Sequence, residues 1–234
     1  MTACAPAAPR LPALLGAGET RLSAEQIYPR LFDAILEQRL PPGSALPEQA
    51  LGNAFGVSRT VIRRVLGRLS DQQVVVQRPS HTAHLAAPDP EQARQVLSAR
   101  RLAETTLIGL ATQRARPAQI RQLRQLVERE RQHHERGERC TAIRLGGEFH
   151  MKLAQMAANA PLARFLNGLV PMTSLIIARY ESPCCEHCAW QEHAAIIDAV
   201  ESGDGQAALS LMHEHLDRLE GKLELDGPKG NRAG

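Results

Sequence analysis

The sequence predicts a mainly α protein: an N-terminal winged helix-turn-helix followed by a C-terminal all-α bundle of six or seven helices. Apolar residues recur at helical spacing almost throughout the chain. Aromatics make up only 3% of the 234 residues, whereas strands favour aromatic and β-branched side chains. The clear β-prone stretch follows the first three helices, and beyond residue 91 every strong period is helical.

Hydrophobic residues at 43% and charged residues at 23% match an ordinary soluble globular protein. The formal net charge of +3 says little about partners. No uninterrupted apolar run approaches the roughly 20 residues that cross a bilayer, so no membrane partner is expected. Residues 1–20 lack a basic start, and Pro6, Pro9, Arg10 and Pro12 break their apolar character, so they read as a disordered tail. Residues 226–234 read as a second tail. Five cysteines, with Cys184, Cys185 and Cys188 clustered, do not resemble a disulfide framework and suggest a reducing, cytoplasmic setting.

Ser23 and Gln26 have capping-box spacing ahead of a helix over 23–40, which Pro41-Pro42-Gly43 ends. A short helix over 47–54 is followed by the turn Gly56-Val57-Ser58, and Ser58 is placed to cap a third helix over 59–72. Residues 74–78 and 83–86 flank Pro79-Ser80-His81-Thr82 as a hairpin. The DNA-binding domain is thus expected over 21–87 and a linker over 88–92. An effector domain is expected over 93–225, with helices at 91–114, 117–136, 140–158, 161–181, 189–202 and 205–224.

Residues 58–68 carry Arg59, Arg63, Arg64 and Arg68 without an acidic residue. Arg59 and Arg63, four apart, share one helix face near its N-terminal end, the end that enters the major groove in a helix-turn-helix. Arginine can read a guanine edge or pair with phosphate, and Thr60 can touch a thymine methyl. The amides beside Ser58 favour a phosphate oxygen. A solvated basic face explains the arginines alone, but not the order of elements around them.

The run from Pro41 to Ala86 resembles the N-terminal domain of GntR-family bacterial repressors, through Pro42-Gly43, Glu48, Leu51, Gly56-Val57-Ser58-Arg59-Thr60, Arg63 and Leu66. The resemblance implies that Arg59, Thr60 and Arg63 contact double-stranded operator DNA. Gln49 stands where the family has an arginine, and His81 where it has a basic wing residue. Thr82 replaces the wing glycine, a position that often needs positive φ and would strain threonine.

His150, His193 and His215 each lie on a predicted helix among apolar neighbours. A lone inward histidine is usually a satisfied core residue, but three on separate helices of one bundle can converge on an ion such as zinc, nickel, copper or iron. Residues 145–154, 159–162, 192–204 and 212–216 are similar to the ligand-binding (FCD) domain of the FadR branch of the GntR family. That resemblance implies a divalent metal held by one Asp and three His, with His150, His193 and His215 on the histidine positions. Gly146 stands where the aspartate belongs and offers no ligand. Zinc is the expected metal, with nickel or another transition metal as alternatives. Water or an effector carboxylate can fill the open position, or Glu148, Cys185, His187 or Cys188 can replace the ligand, although Glu148 points away from His150.

The same resemblance implies an arginine near the effector pocket at the start of this domain; of the adjacent Arg100 and Arg101 only one can face inward, and Arg101 is the expected one, while a surface ion pair with Glu104 is the plainer reading. The charge run 121–139 mixes signs and reads as a solvated helix face. Asn159 reads as a helix cap, while Tyr180 and Trp190 suit either pocket or core. These features predict a homodimeric, DNA-binding transcriptional repressor controlled by a small, carboxylate-bearing metabolite. The alternatives are a metal- or thiol-redox-responsive regulator and a metal-dependent hydrolase.

Overall fold

A computed structural model describes residues 22–37, 39–78, 81–181 and 189–225. Both expected tails, hairpin residues 79–80 and Cys184, Cys185, His187 and Cys188 lie outside that set. The chain divides into two compact units, Met1–Ala87 and Pro88–Gly234.

In the first unit, α1 (Ala24–Leu36) starts at the expected capping box. The Ser23 hydroxyl accepts from the Gln26 amide at 3.3 Å, and Gln26 Oε1 accepts from the Ser23 amide at 2.9 Å. The helix ends four residues short of Leu40, which is nonetheless buried. After β1 (Ala45–Leu46), α2 (Glu48–Phe55) closes at Gly56, whose φ of 64° gives the left-handed turn that glycine adopts without strain. Then α3 (Arg59–Asp71) begins at Ser58. The Ser58 side chain makes no cap hydrogen bond, contrary to its expected role; its carbonyl accepts from Val61 and Ile62. Ile27, Leu31 and Ile35 of α1, Leu51 and Phe55 of α2 and Ile62, Val65, Leu66 and Leu69 of α3 are all buried.

The expected hairpin is present as β2 (Val75–Val76) and β3 (Ala83–Leu85), paired antiparallel with Val75 opposite Leu85. It supplies two strands of a three-stranded sheet, because β1 pairs on the other side of β3 in the order β1-β3-β2. Thr82 is not among the positive-φ residues; the non-glycine ones described are Gln73 and Ala158, so the expected strain at Thr82 is absent.

In the second unit, α4 (Pro90–Arg114), α5 (Pro117–Glu135), α6 (Arg139–Met156), α7 (Ala160–Tyr180), α8 (Ala189–Glu201) and α9 (Gly205–Gly221) form the bundle. Asp89 caps α4 through the Gln92 amide at 2.8 Å, so residues 90–92 are helix rather than linker. Asn159 caps α7 as expected, accepting from the Leu162 amide at 3.3 Å. The core runs from Leu107 and Ile108 of α4 through Leu123, Phe149 and Val170 to Ile196, Ile197 and Met212. Among the described residues, α7 is the one helix long and apolar enough to cross a membrane, but much of it is buried inside the bundle.

Candidate nucleic-acid interface and candidate metal centre

Arg59 and Arg63 project from the first two turns of α3 and are well exposed, with 59% and 63% of their side chains accessible. They line a groove together with Glu48, Gln49, Arg78 and His81. Thr60 and Ser58 are exposed at the start of the same helix but do not line the groove. Glu48 organises this surface. Both its oxygens accept from Arg63 Nε, at 2.8 and 2.9 Å, and Arg59 Nε lies 3.6 Å away. The hydrogen bond from Arg63 holds the Glu48 carboxyl below its ordinary range. Gln49 donates to Asn53 Oδ1 at 3.0 Å along α2. Arg68 has a different part: its guanidinium stacks 3.6 Å above the Tyr28 ring and ties α3 to α1.

In the bundle, His150 of α6, His193 of α8 and His215 of α9 converge, each 5% exposed or less. Their ligand-capable nitrogens all lie within 4.8 Å of one another. Each Nδ1 rests on a carboxylate from another helix. His150 meets Glu104 at 2.5 Å, His193 meets Glu130 at 2.8 Å and His215 meets Glu192 at 2.7 Å. A carboxylate accepts, so each ring donates Nδ1–H and presents Nε2 as a lone pair. The Nε2 atoms of His150 and His215 face each other at 3.2 Å, and that of His193 is buried without a partner.

Burial pushes both His150 and His215 down, His215 to about 4, against the pull of Glu104 and Glu192 respectively. Burial pushes the Glu104 carboxyl up, but Arg100 and His150 outweigh it and hold the group well below the usual range. His150 and His215 are therefore neutral and Glu104 ionised near neutral pH. Three buried lone pairs aimed at one another repel unless a cation lies among them. The 3.2 Å separation is close to the roughly 3.3 Å between tetrahedral ligands on bonds of about 2.0–2.1 Å to zinc. The residues present fit a divalent ion with an affinity for imidazole.

The centre opens on a cavity of about 340 Å³, bordered by Arg100, His134, Gly146, Gly147, Ser174 and Ile177 beside the histidines. Arg100 is the inward arginine, 3% exposed and paired with Glu104; the preference for Arg101 is corrected. On α4 the buried positions run Ala93, Leu97, Arg100, Ala103, Glu104 and Leu107, and Arg101 turns out to Asp217 and Glu220. Arg100–Glu104 is likewise no surface pair. Tyr180 and Trp190 do not line the cavity: the Tyr180 hydroxyl donates to the Pro88 carbonyl at 2.9 Å, and Trp190 packs against the core. Glu148 points away as expected, to Arg144 at 2.8 Å. The run 121–139 is not wholly solvated, since Glu130 is buried against His193 and His134 reaches the cavity. The signal for Glu130 lay in its position seven residues after Leu123 and three after Val127, on the apolar stripe of α5.

Comparison with known proteins accounts for both units. Residues 23–83 match the model of bacterial regulatory proteins of the gntR family, and residues 95–218 match the FCD domain. The Uxu operon regulator of Haemophilus influenzae is 26% identical over 77% of this chain and 74% of its own. The HTH-type transcriptional repressor RspR of Escherichia coli is 25% identical over 83% and 86%. Among solved structures, E. coli McbR/YncC superposes with a TM-score of 0.69 at 18% identity, covering 85% of this chain and 95% of its own, and so shares the fold. A gntR-type head joined to an FCD domain makes the chain a member of the GntR family of bacterial transcriptional regulators, in its FCD-bearing branch, and not an enzyme.

Proposed function

We propose that the chain is a cytoplasmic, homodimeric repressor whose operator affinity is set by a small carboxylate-bearing metabolite bound beside a divalent metal, with zinc the first candidate. His150, His193 and His215 hold the ion, and the convergence of their Nε2 atoms is the observation that carries the reading. A bound ion of this kind supplies Lewis acidity and an open coordination position. Arg100, buried at the cavity wall, gives the carboxylate a charged partner.

Arg59, Arg63 and His81, with Gln49, Ser58 and Thr60 beside them, form the surface offered to duplex DNA. Two such heads related by a two-fold axis suit a near-palindromic operator. Exposed Leu102 of α4 and Phe165 of α7 leave apolar surface for pairing between copies. Control of operator affinity requires the effector to bind one arrangement of the heads more tightly than another.

Metal analysis tests the centre. Protein stripped and reloaded with Zn²⁺ is expected to hold one ion per chain, and His193→Ala and His215→Ala to lose it. Unchanged metal content in both variants rejects the three-histidine site.

A further inference from the structure

The three carboxylates behind the histidines are not equivalent. Glu104 also meets Arg100, and Glu192 also meets Arg218, so a cation stands beside each. Among the described residues, Glu130 has His193 as its one ionisable partner. It is 3% exposed, and a buried carboxylate facing only an imidazole is costly until positive charge reaches that imidazole.

Position 146 supplies an independent observation. A Cβ on Gly146 would stand 3.0 Å from Glu130 Oε1 and 3.2 Å from His193 Cε1. Both neighbours are buried and bonded to each other at 2.8 Å, so a Cβ at 146 would have to push that pair aside by a few tenths of an ångström. The α5 carboxylate thus crowds the place that a Cβ at 146 would take. Its bond is to Nδ1, and among the described residues the ligand-capable atoms that lie within 4.8 Å of one another belong to the three histidines and not to Glu130.

We propose that Glu130 is the positioning residue of the metal centre and the reason position 146 is glycine. It holds Nδ1–H of His193, aims Nε2 inward and supplies the negative charge that a bound cation offsets through the ring. The ion is left with three neutral protein ligands and no protein anion in contact. Its open position therefore selects an anionic ligand head. This inference rests on the metal reading above.

Two measurements on the full chain test it, with thermal melts checking that each variant folds. Long-range ¹H–¹⁵N NMR of the metal-free protein reads the His193 tautomer, expected as Nδ1–H in the wild type and mixed in Glu130→Ala. Zn²⁺ titration is expected to show a 10- to 100-fold weaker affinity in Glu130→Ala, with Glu130→Gln, which keeps an acceptor oxygen, in between. Gly146→Asp is expected to weaken Zn²⁺ binding while Glu130 is present, and the double variant Glu130→Ala/Gly146→Asp to recover it once that volume is free. Tighter Zn²⁺ binding by Gly146→Asp alone, or an unchanged tautomer and affinity in Glu130→Ala, overturns the proposal. The two failures are distinguishable: wild-type protein that takes up no Zn²⁺ refutes the metal centre, whereas Zn²⁺ binding untouched by Glu130→Ala refutes only the part given to Glu130.

Discussion

At His215, burial and a carboxylate act in opposite directions, and burial wins. The imidazole stays neutral in the folded chain down to about pH 4, while in the unfolded chain it titrates near 6.5. As pH falls through that window the unfolded state takes up the proton first, so stability is lost between about 6.5 and 4 and is intact above it. His150 acts in the same direction. In the metal-free protein, His215 alone is expected to lower unfolding stability by ~2–3 kcal/mol between pH 7 and 4.5. Urea denaturation at the two pH values reads this; an unchanged midpoint contradicts neutral, buried rings. The histidines were legible in the sequence through their spacing and apolar neighbours, but their carboxylates were not. Glu130 sits between Arg129 and Arg131 in a run of mixed charge; its step from Leu123 and Val127 marks an inward position, but only the packing of α5 onto α8 brings it to His193.

Helix α3 shows how much an element carries on its own. Its apolar stripe of Ile62, Val65, Leu66 and Leu69 packs inward, which leaves Arg59 and Arg63 on the outer face with Glu48 between them. Arg59→Ala and Arg63→Ala together are expected to abolish sequence-specific duplex binding while the far-ultraviolet circular dichroism is unchanged, because neither side chain contributes to the core. Retained specific binding in a mobility-shift titration rejects α3 as the reading helix. Elements with local signals were readable: the Ser23–Gln26 box, the Gly56 turn and the Asn159 cap each act within a few residues. Elements defined by distant partners were not. Strand β1 is two residues long and exists through its pairing with β3, nearly forty residues later. The inward register of α4 differs by one position between Arg100 and Arg101, and a sequence with adjacent arginines does not separate them.

Across the molecule, the gntR-type head and the FCD domain occupy separate compact units of one chain. The order of elements made that division readable, apart from residues 90–92, which Asp89 caps into α4. In the proposed function, occupancy of the cavity beside the metal sets DNA affinity. Its most direct test is operator affinity, with an operator selected from random duplexes, measured on metal-free and Zn²⁺-loaded protein with and without a panel of small carboxylates. Specific binding is expected that at least one carboxylate changes tenfold or more in the Zn²⁺-loaded protein, with the change blunted in Arg100→Ala. Selection of no duplex over random competitor, or an affinity indifferent to every carboxylate and to the metal, contradicts it.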